Sequence, residues 1–218
     1  MKKYFDIFLS AILAGICIGL GSTVFLRIKD TFNGGNIVGA LLFTVGLFTI
    51  CTRKYNLFTG KVCYIFENRP DYLFSLIIIW IGNLCGCCLL AVIENATNIC
   101  GDKGINVVAA SMVESKMSSS LISLFILGVI CNIFIYIAVD GYIKNSHELG
   151  KYLSLFFGVS VFILCGTEHS VADMYYWAVS GMLRSYPCES LLRILVVSLG
   201  NVVGGISFPV IERWLCKK

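Results

Sequence analysis

Apolar residues along this chain fall into long runs separated by short polar segments, and the lengths of the runs carry the reading. Residues 4–26, 73–94, 118–139 and 190–215 form four predominantly apolar runs. Each is close to the about 20 residues with which a helix crosses a hydrocarbon core of about 30 Å. Two further stretches are longer and polar in the middle. One starts near Gly34, runs apolar to Cys51, meets Thr52, Arg53, Lys54, Tyr55 and Asn56, and resumes through Leu57, Phe58, Thr59 and Gly60 to Phe66. The other, 151–183, is apolar at both ends and holds Glu168, His169 and Asp173 at its centre. As one straight helix its about 33 residues would reach roughly 50 Å, too long for a single crossing. Both stretches predict helices broken near mid-membrane, where freed backbone groups must line a cavity or be buried in protein. Ionisable groups at that depth are costly, so they face a water-filled path or a partner.

The pattern predicts an all-α membrane protein of six transmembrane spans, the second and fifth broken, filling residues 1–218 as one membrane domain. The halves echo one another: Gly82-Asn83 with Gly86 in the third span, Gly200-Asn201 with Gly204 in the sixth, and one broken span in each. Three spans per half give the halves opposite orientations, so the reading is an inverted repeat of about 1–100 and 110–218. Gly15/Gly19, Gly35/Gly39, Gly82/Gly86 and Gly200/Gly204 are small-xxx-small pairs that permit close helix contact.

Composition agrees. The chain is 57% hydrophobic with a mean hydropathy of +0.84, which belongs to a protein embedded in a lipid bilayer. A net charge of +4 without a long basic run excludes nucleic acid as a partner. With both termini inside, eleven Lys and Arg fall on inner segments and six on outer ones, which orients both termini to the cytoplasm and gives a multi-pass protein of the inner (cytoplasmic) membrane. The first run lacks a signal-peptide cleavage pattern and reads as a true span. Most of the eleven cysteines lie inside apolar runs and read as small core residues. Cys100 and Cys188 fall in polar joints and have the option of pairing. Neither a metal site nor a cofactor is implied, since Cys85, Cys87 and Cys88 lack paired ligand spacing and helper histidines.

Several ordered motifs resemble the formate/nitrite transporter family. They are Leu57-Phe58-Thr59-Gly60 after the first break, Lys116 before the fourth span and Cys131-Asn132 inside it. Glu168-His169-Ser170-Val171-Ala172 at the second break and Gly200-Asn201 in the last span complete the set. The resemblance implies a homopentamer of aquaporin-like protomers, each with its own pore for a small monovalent anion. Formate comes first and nitrite next; hydrosulfide, acetate or lactate serve some members. His169 would be the central pore residue, with Thr59 sharing its hydrogen bonding and Glu168 orienting it from behind. Lys116 would draw anions to the vestibule, and Asn132 would add a polar contact. Phe43, Leu47, Leu57, Phe58 and Phe162 would build the apolar constrictions. The chain departs from the family at Asp173, where many members carry Asn; its first apolar run begins almost at once, so the pH gating linked to a cytoplasmic helix in the family is not expected here.

A bare anion crosses a Phe and Leu constriction poorly, because losing its hydration is expensive. A weak-acid anion can take a proton, pass neutral and release it beyond. Two roles for His169 stay open: proton relay, for which imidazole is suited, or fixed hydrogen-bond donor. Two rivals fare worse. A water or polyol channel lacks support, because none of Pro70, Pro187 and Pro209 sits in an Asn-Pro-Ala box. An enzyme is excluded by the want of a nucleophile–base set: Ser170 and His169 are neighbours that point about 100° apart on a helix.

Overall fold

The computed structural model describes residues 2–216, and these form helices joined by short turns, with no strand among them. Helix α1, Lys2–Ile28, is followed by α2, Gly35–Arg53. α2 stops at Lys54, whose left-handed backbone (φ 58°) ends the helix while Tyr55 N–H closes back on the Ile50 carbonyl at 3.0 Å. Glycine usually takes this place because a side chain is strained there. After a short extended segment come a single turn, α3 (Phe58–Lys61), and a 3-10 turn, Val62–Glu67. Helix α4, Tyr72–Asn95, completes the first half.

The second half opens on α5, Ile105–Ser118, a 14-residue helix where the sequence reading had only a polar joint. Its low apolar content hid it, although Ile105, Ala109 and Val113 fall four apart and bury one face. α6, Leu121–Lys144, begins at Ser120, whose hydroxyl accepts the Ser123 N–H at 3.2 Å. α7, Glu148–Leu164, breaks off at Gly166 (φ 63°) and the chain resumes as α8, Ser170–Val179. A short α9, Met182–Ser185, leads to α10, Pro187–Leu215, which starts with proline at its first position and carries Pro209 within.

Five of these helices, α1, α2, α4, α6 and α10, are long and apolar enough to cross a membrane. They are apolar on both their inward and outward faces: Ala11 and Ala14 are buried on α1, while Ile77, Val92 and Ile122 stand exposed. That is the pattern of a multi-pass membrane protein whose outer face meets hydrocarbon. The closest helix contacts are α1 with α4 and α6 with α10. A Cβ added at Gly86 would lie 2.1 Å from the Ile12 carbonyl oxygen, and one at Gly204 would lie 2.0 Å from that of Val129. Only glycine lets these backbones approach so closely. All eleven cysteines are free, Cys100 and Cys188 included.

Candidate functional site

The two helix breaks are built alike. Tyr55 N–H bonds the Ile50 carbonyl past left-handed Lys54; Thr167 N–H bonds the Phe162 carbonyl at 3.2 Å past left-handed Gly166. The extended segments that follow would leave buried backbone groups unpaired, which is expensive in a low-dielectric interior. One asparagine per break satisfies them. Asn83 on α4 accepts the Phe58 N–H at 2.8 Å and donates to the carbonyls of Asn56 and Ala11 at 3.0 and 2.8 Å. Asn201 on α10 accepts the Ser170 N–H at 2.9 Å and donates to Glu168 and Gly128 at 2.9 and 2.8 Å. Position by position the second set repeats the first, so Leu57 in one break corresponds to His169 in the other. Glu168 N–H is satisfied by the Leu127 carbonyl at 3.3 Å.

His169 sits where α8 begins. Its Nδ1 accepts the Ala172 N–H at 3.1 Å, so the imidazole caps the helix. An amide can only donate, so Nδ1 is the acceptor and the neutral ring carries its proton on Nε2. Nε2 lies 2.9 Å from Thr59 Oγ1, which receives that N–H. Phe162 stacks on the imidazole at 5.5 Å between ring centroids, and Phe43 meets Phe162 edge-on at 6.2 Å. His169 and Thr59 are 3% and 0% exposed.

Two cavities approach this pair from different sides. One, of about 230 Å³, is lined by His169, Phe43, Phe162, Lys116, Glu168 and Asp173, among others. The other, of about 280 Å³, is lined by Leu47, Leu57 and Gly60 with Lys54 and Lys61. The residues expected to build the apolar constrictions fall into two sets: Phe43 and Phe162 line the cavity that holds the imidazole, and Leu47 and Leu57 line the other. Phe58 lines neither cavity and is buried in the apolar core.

The other anticipated site residues have partners the sequence did not name. Lys116, expected to draw anions to the vestibule, belongs to α5, and its ammonium is ion-paired with the Glu168 carboxylate and lies 3.0 Å from that of Asp173. Glu168 accordingly turns to Lys116, not to the imidazole, and it is the ring's own cap that orients His169. Asn132 reaches the site through the backbone, donating to the Thr59 carbonyl at 3.0 Å. Phe25, Met112 and Tyr176 also line the imidazole-side cavity. Tyr176, three residues beyond Asp173 on α8, was legible by helical spacing; Phe25 and Met112 gave no signal. Ser170 offers its N–H to Asn201 and shares no hydrogen bond with His169, so no nucleophile–base pair forms. No grouping of His, Cys, Asp and Glu that could hold a metal ion occurs among the described residues.

A sequence profile described as formate/nitrite transporter matches residues 1–215. The chain belongs to the formate/nitrite transporter family. The formate channel FocA of Haemophilus influenzae is 26% identical over 99% of this chain and 88% of its own length. The nitrite transporter NirC of Salmonella typhimurium is 26% identical over 94% of this chain and 81% of its own length. Among solved structures, a pentameric formate channel with formate bound superposes with a TM-score of 0.82 at 25% identity, covering 99% of this chain and 98% of that one. An ion channel of the family gives 0.86 at 23% identity over 97% and 90%, which speaks for the fold. Formate/nitrite transporters are channels and transporters, not enzymes, and this chain is a membrane transporter of that family.

Proposed function

We propose that this protein conducts a small monovalent weak-acid anion, formate first and nitrite next, through a pore within each protomer. The observation that carries the reading is the buried Thr59–His169 pair, with one cavity reaching the imidazole and the other reaching Leu57 and Gly60 on either side of Thr59. Hydrosulfide is the alternative substrate in the same pore. Water or a polyol fits less well, because the path is pinched by Phe43, Phe162, Leu47 and Leu57 and carries ionised groups at its rims.

His169 acts here as a fixed hydrogen-bond donor. Its Nδ1 is committed to the Ala172 N–H, so only Nε2–H is free to turn from Thr59 to a passing anion. Protonating Nδ1 would break the cap and set a positive charge at a helix N-terminus, which the helix dipole opposes. The proton that lets the anion pass the apolar constrictions as its neutral acid then comes from the aqueous cavities.

The architecture that suits this role has six crossing elements. The second is α2 with α3 and the turn beyond, and the fifth is α7 with α8; the halves 1–100 and 110–218 form an inverted repeat. Matched breaks, matched asparagines and matched glycines support it. A homopentamer in the inner membrane, with both termini cytoplasmic, completes the proposal. The pentameric neighbour and the distribution of Lys and Arg support those parts.

The test is reconstitution into liposomes with formate, nitrite and hydrosulfide flux compared at two pH values. Formate and nitrite flux that rises as pH falls is expected. A protein that moves none of the three, or moves glycerol faster, would overturn the reading.

A further inference from the structure

The two cavities differ in charge. On the imidazole side Lys116 is shared by two carboxylates, Glu168 and Asp173. The two carboxyl groups offset the Lys116 charge, so this cluster presents no net positive charge to an anion. On the opposite side Lys54 and Lys61 line the cavity with Tyr55, Tyr64 and Tyr142. Among the described residues no carboxylate lies within 4.0 Å of either ammonium. Lys61 sits one position beyond Gly60 in α3, two beyond the threonine that meets His169, and is only partly exposed. A partly desolvated ammonium in a narrow cavity projects its field further than one in open water.

We propose that Lys61, with Lys54 at the rim, is the capture site for small monovalent anions, and that Asp173 neutralises the opposite mouth by engaging Lys116. The two faces of the protein then load anions unequally. The inference rests on the channel reading above. Fixed charges cannot shift the equilibrium distribution across the membrane. They set the local anion concentration at each mouth, and so the half-saturating concentration for uptake from each face.

The experiment compares right-side-out and inverted membrane vesicles containing the full chain, with radiolabelled formate as probe and initial rates taken over a range of concentrations. Parent protein is expected to half-saturate at lower formate from the Lys61 face. Lys61→Gln should raise that value roughly three- to ten-fold while shifting the other face far less, and Lys61→Arg should restore it. Asp173→Asn should lower the half-saturating concentration from the Lys116 face. Should Lys61→Gln fail to assemble, salt decides on the parent alone: the difference between faces must shrink as ionic strength rises. Equal half-saturation at the two faces, a salt-independent difference, or a Lys61→Gln shift common to both would overturn the inference and leave the channel reading standing. Absence of formate flux in the parent would overturn both.

Discussion

Thr59 Oγ1 lies 2.9 Å from His169 Nε2, joining two helix breaks that are 110 residues apart in the chain. Each partner is held by a different device: Thr59 by a one-turn helix whose carbonyl is held by Asn132, His169 by its own cap on α8. The imidazole is therefore fixed in orientation and in tautomer before any anion arrives.

That arrangement predicts how position 169 tolerates change. Asn is a good cap, so in His169→Asn its oxygen can accept the Ala172 N–H while its amide replaces the Nε2 donor. Formate flux with a pH profile parallel to the parent's is expected in proteoliposomes between about pH 5 and 8, the window in which an ordinary histidine titrates. A flattened profile would instead make the imidazole a proton relay. His169→Phe keeps neither cap nor donor; it should lose at least about 1 kcal/mol of stability from the cap alone and most of its flux.

At Thr59 the comparison is between Val and Ser. Thr59→Val keeps the shape but leaves the buried Nε2–H facing a methyl group, so flux should fall and thermal stability should drop by about 1–3 kcal/mol. Thr59→Ser retains the hydroxyl and should stay near the parent in both. Similar behaviour of the two variants would show that the Thr59–His169 bond has no part in conduction.

Removing Lys116 should do more than weaken anion attraction. Lys116→Ala leaves Glu168 and Asp173 buried without their shared cation, and breaking a buried pair in this way typically destabilises by about 3–5 kcal/mol. A marked loss of thermal stability in detergent is expected, with part of it recovered in Lys116→Ala/Asp173→Asn. Unchanged melting with only a slower uptake at low formate would return Lys116 to the role of a simple attractor.

Equivalent positions in the two halves should respond equivalently. Asn83→Leu and Asn201→Leu each strip a buried N–H and two carbonyls of their partners. At about 1–3 kcal/mol for each unsatisfied group, both should fail to yield folded protein by size-exclusion chromatography. An Asn83→Leu protein as stable as the parent would contradict the pairing seen here.

The glycine contacts offer a graded folding test. Gly86→Ala and Gly204→Ala drive a methyl into the carbonyls of Ile12 and Val129 and should sharply reduce the folded yield. Gly60→Ala is the control for stability, since its nearest neighbour would be a Val139 methyl at 3.7 Å. Equal yields for all three would mean the helices can move apart without penalty.

What the sequence determined by itself was the helical, multi-pass membrane character of the chain and the family. Those depend on local quantities: a run either suffices to span hydrocarbon or it does not, and polar residues inside one must be repaid by structure nearby. The matched Gly82-Asn83 and Gly200-Asn201 were legible too, because a repeated demand for close backbone approach leaves a repeated residue choice. What only the tertiary structure decided was partnership. The sequence offered Lys116 as a residue that would draw anions to the vestibule and named no partner for it; α5 lays it against two carboxylates 52 and 57 residues further along. It named Phe43, Leu47, Leu57, Phe58 and Phe162 for the apolar constrictions without saying which belonged to which; the fold puts Phe43 and Phe162 on one cavity, Leu47 and Leu57 on the other, and Phe58 in the core. In helices apolar on every face, hydropathy carries no mark of which side turns inward; the packing of glycine contacts and the satisfaction of broken backbone settle it.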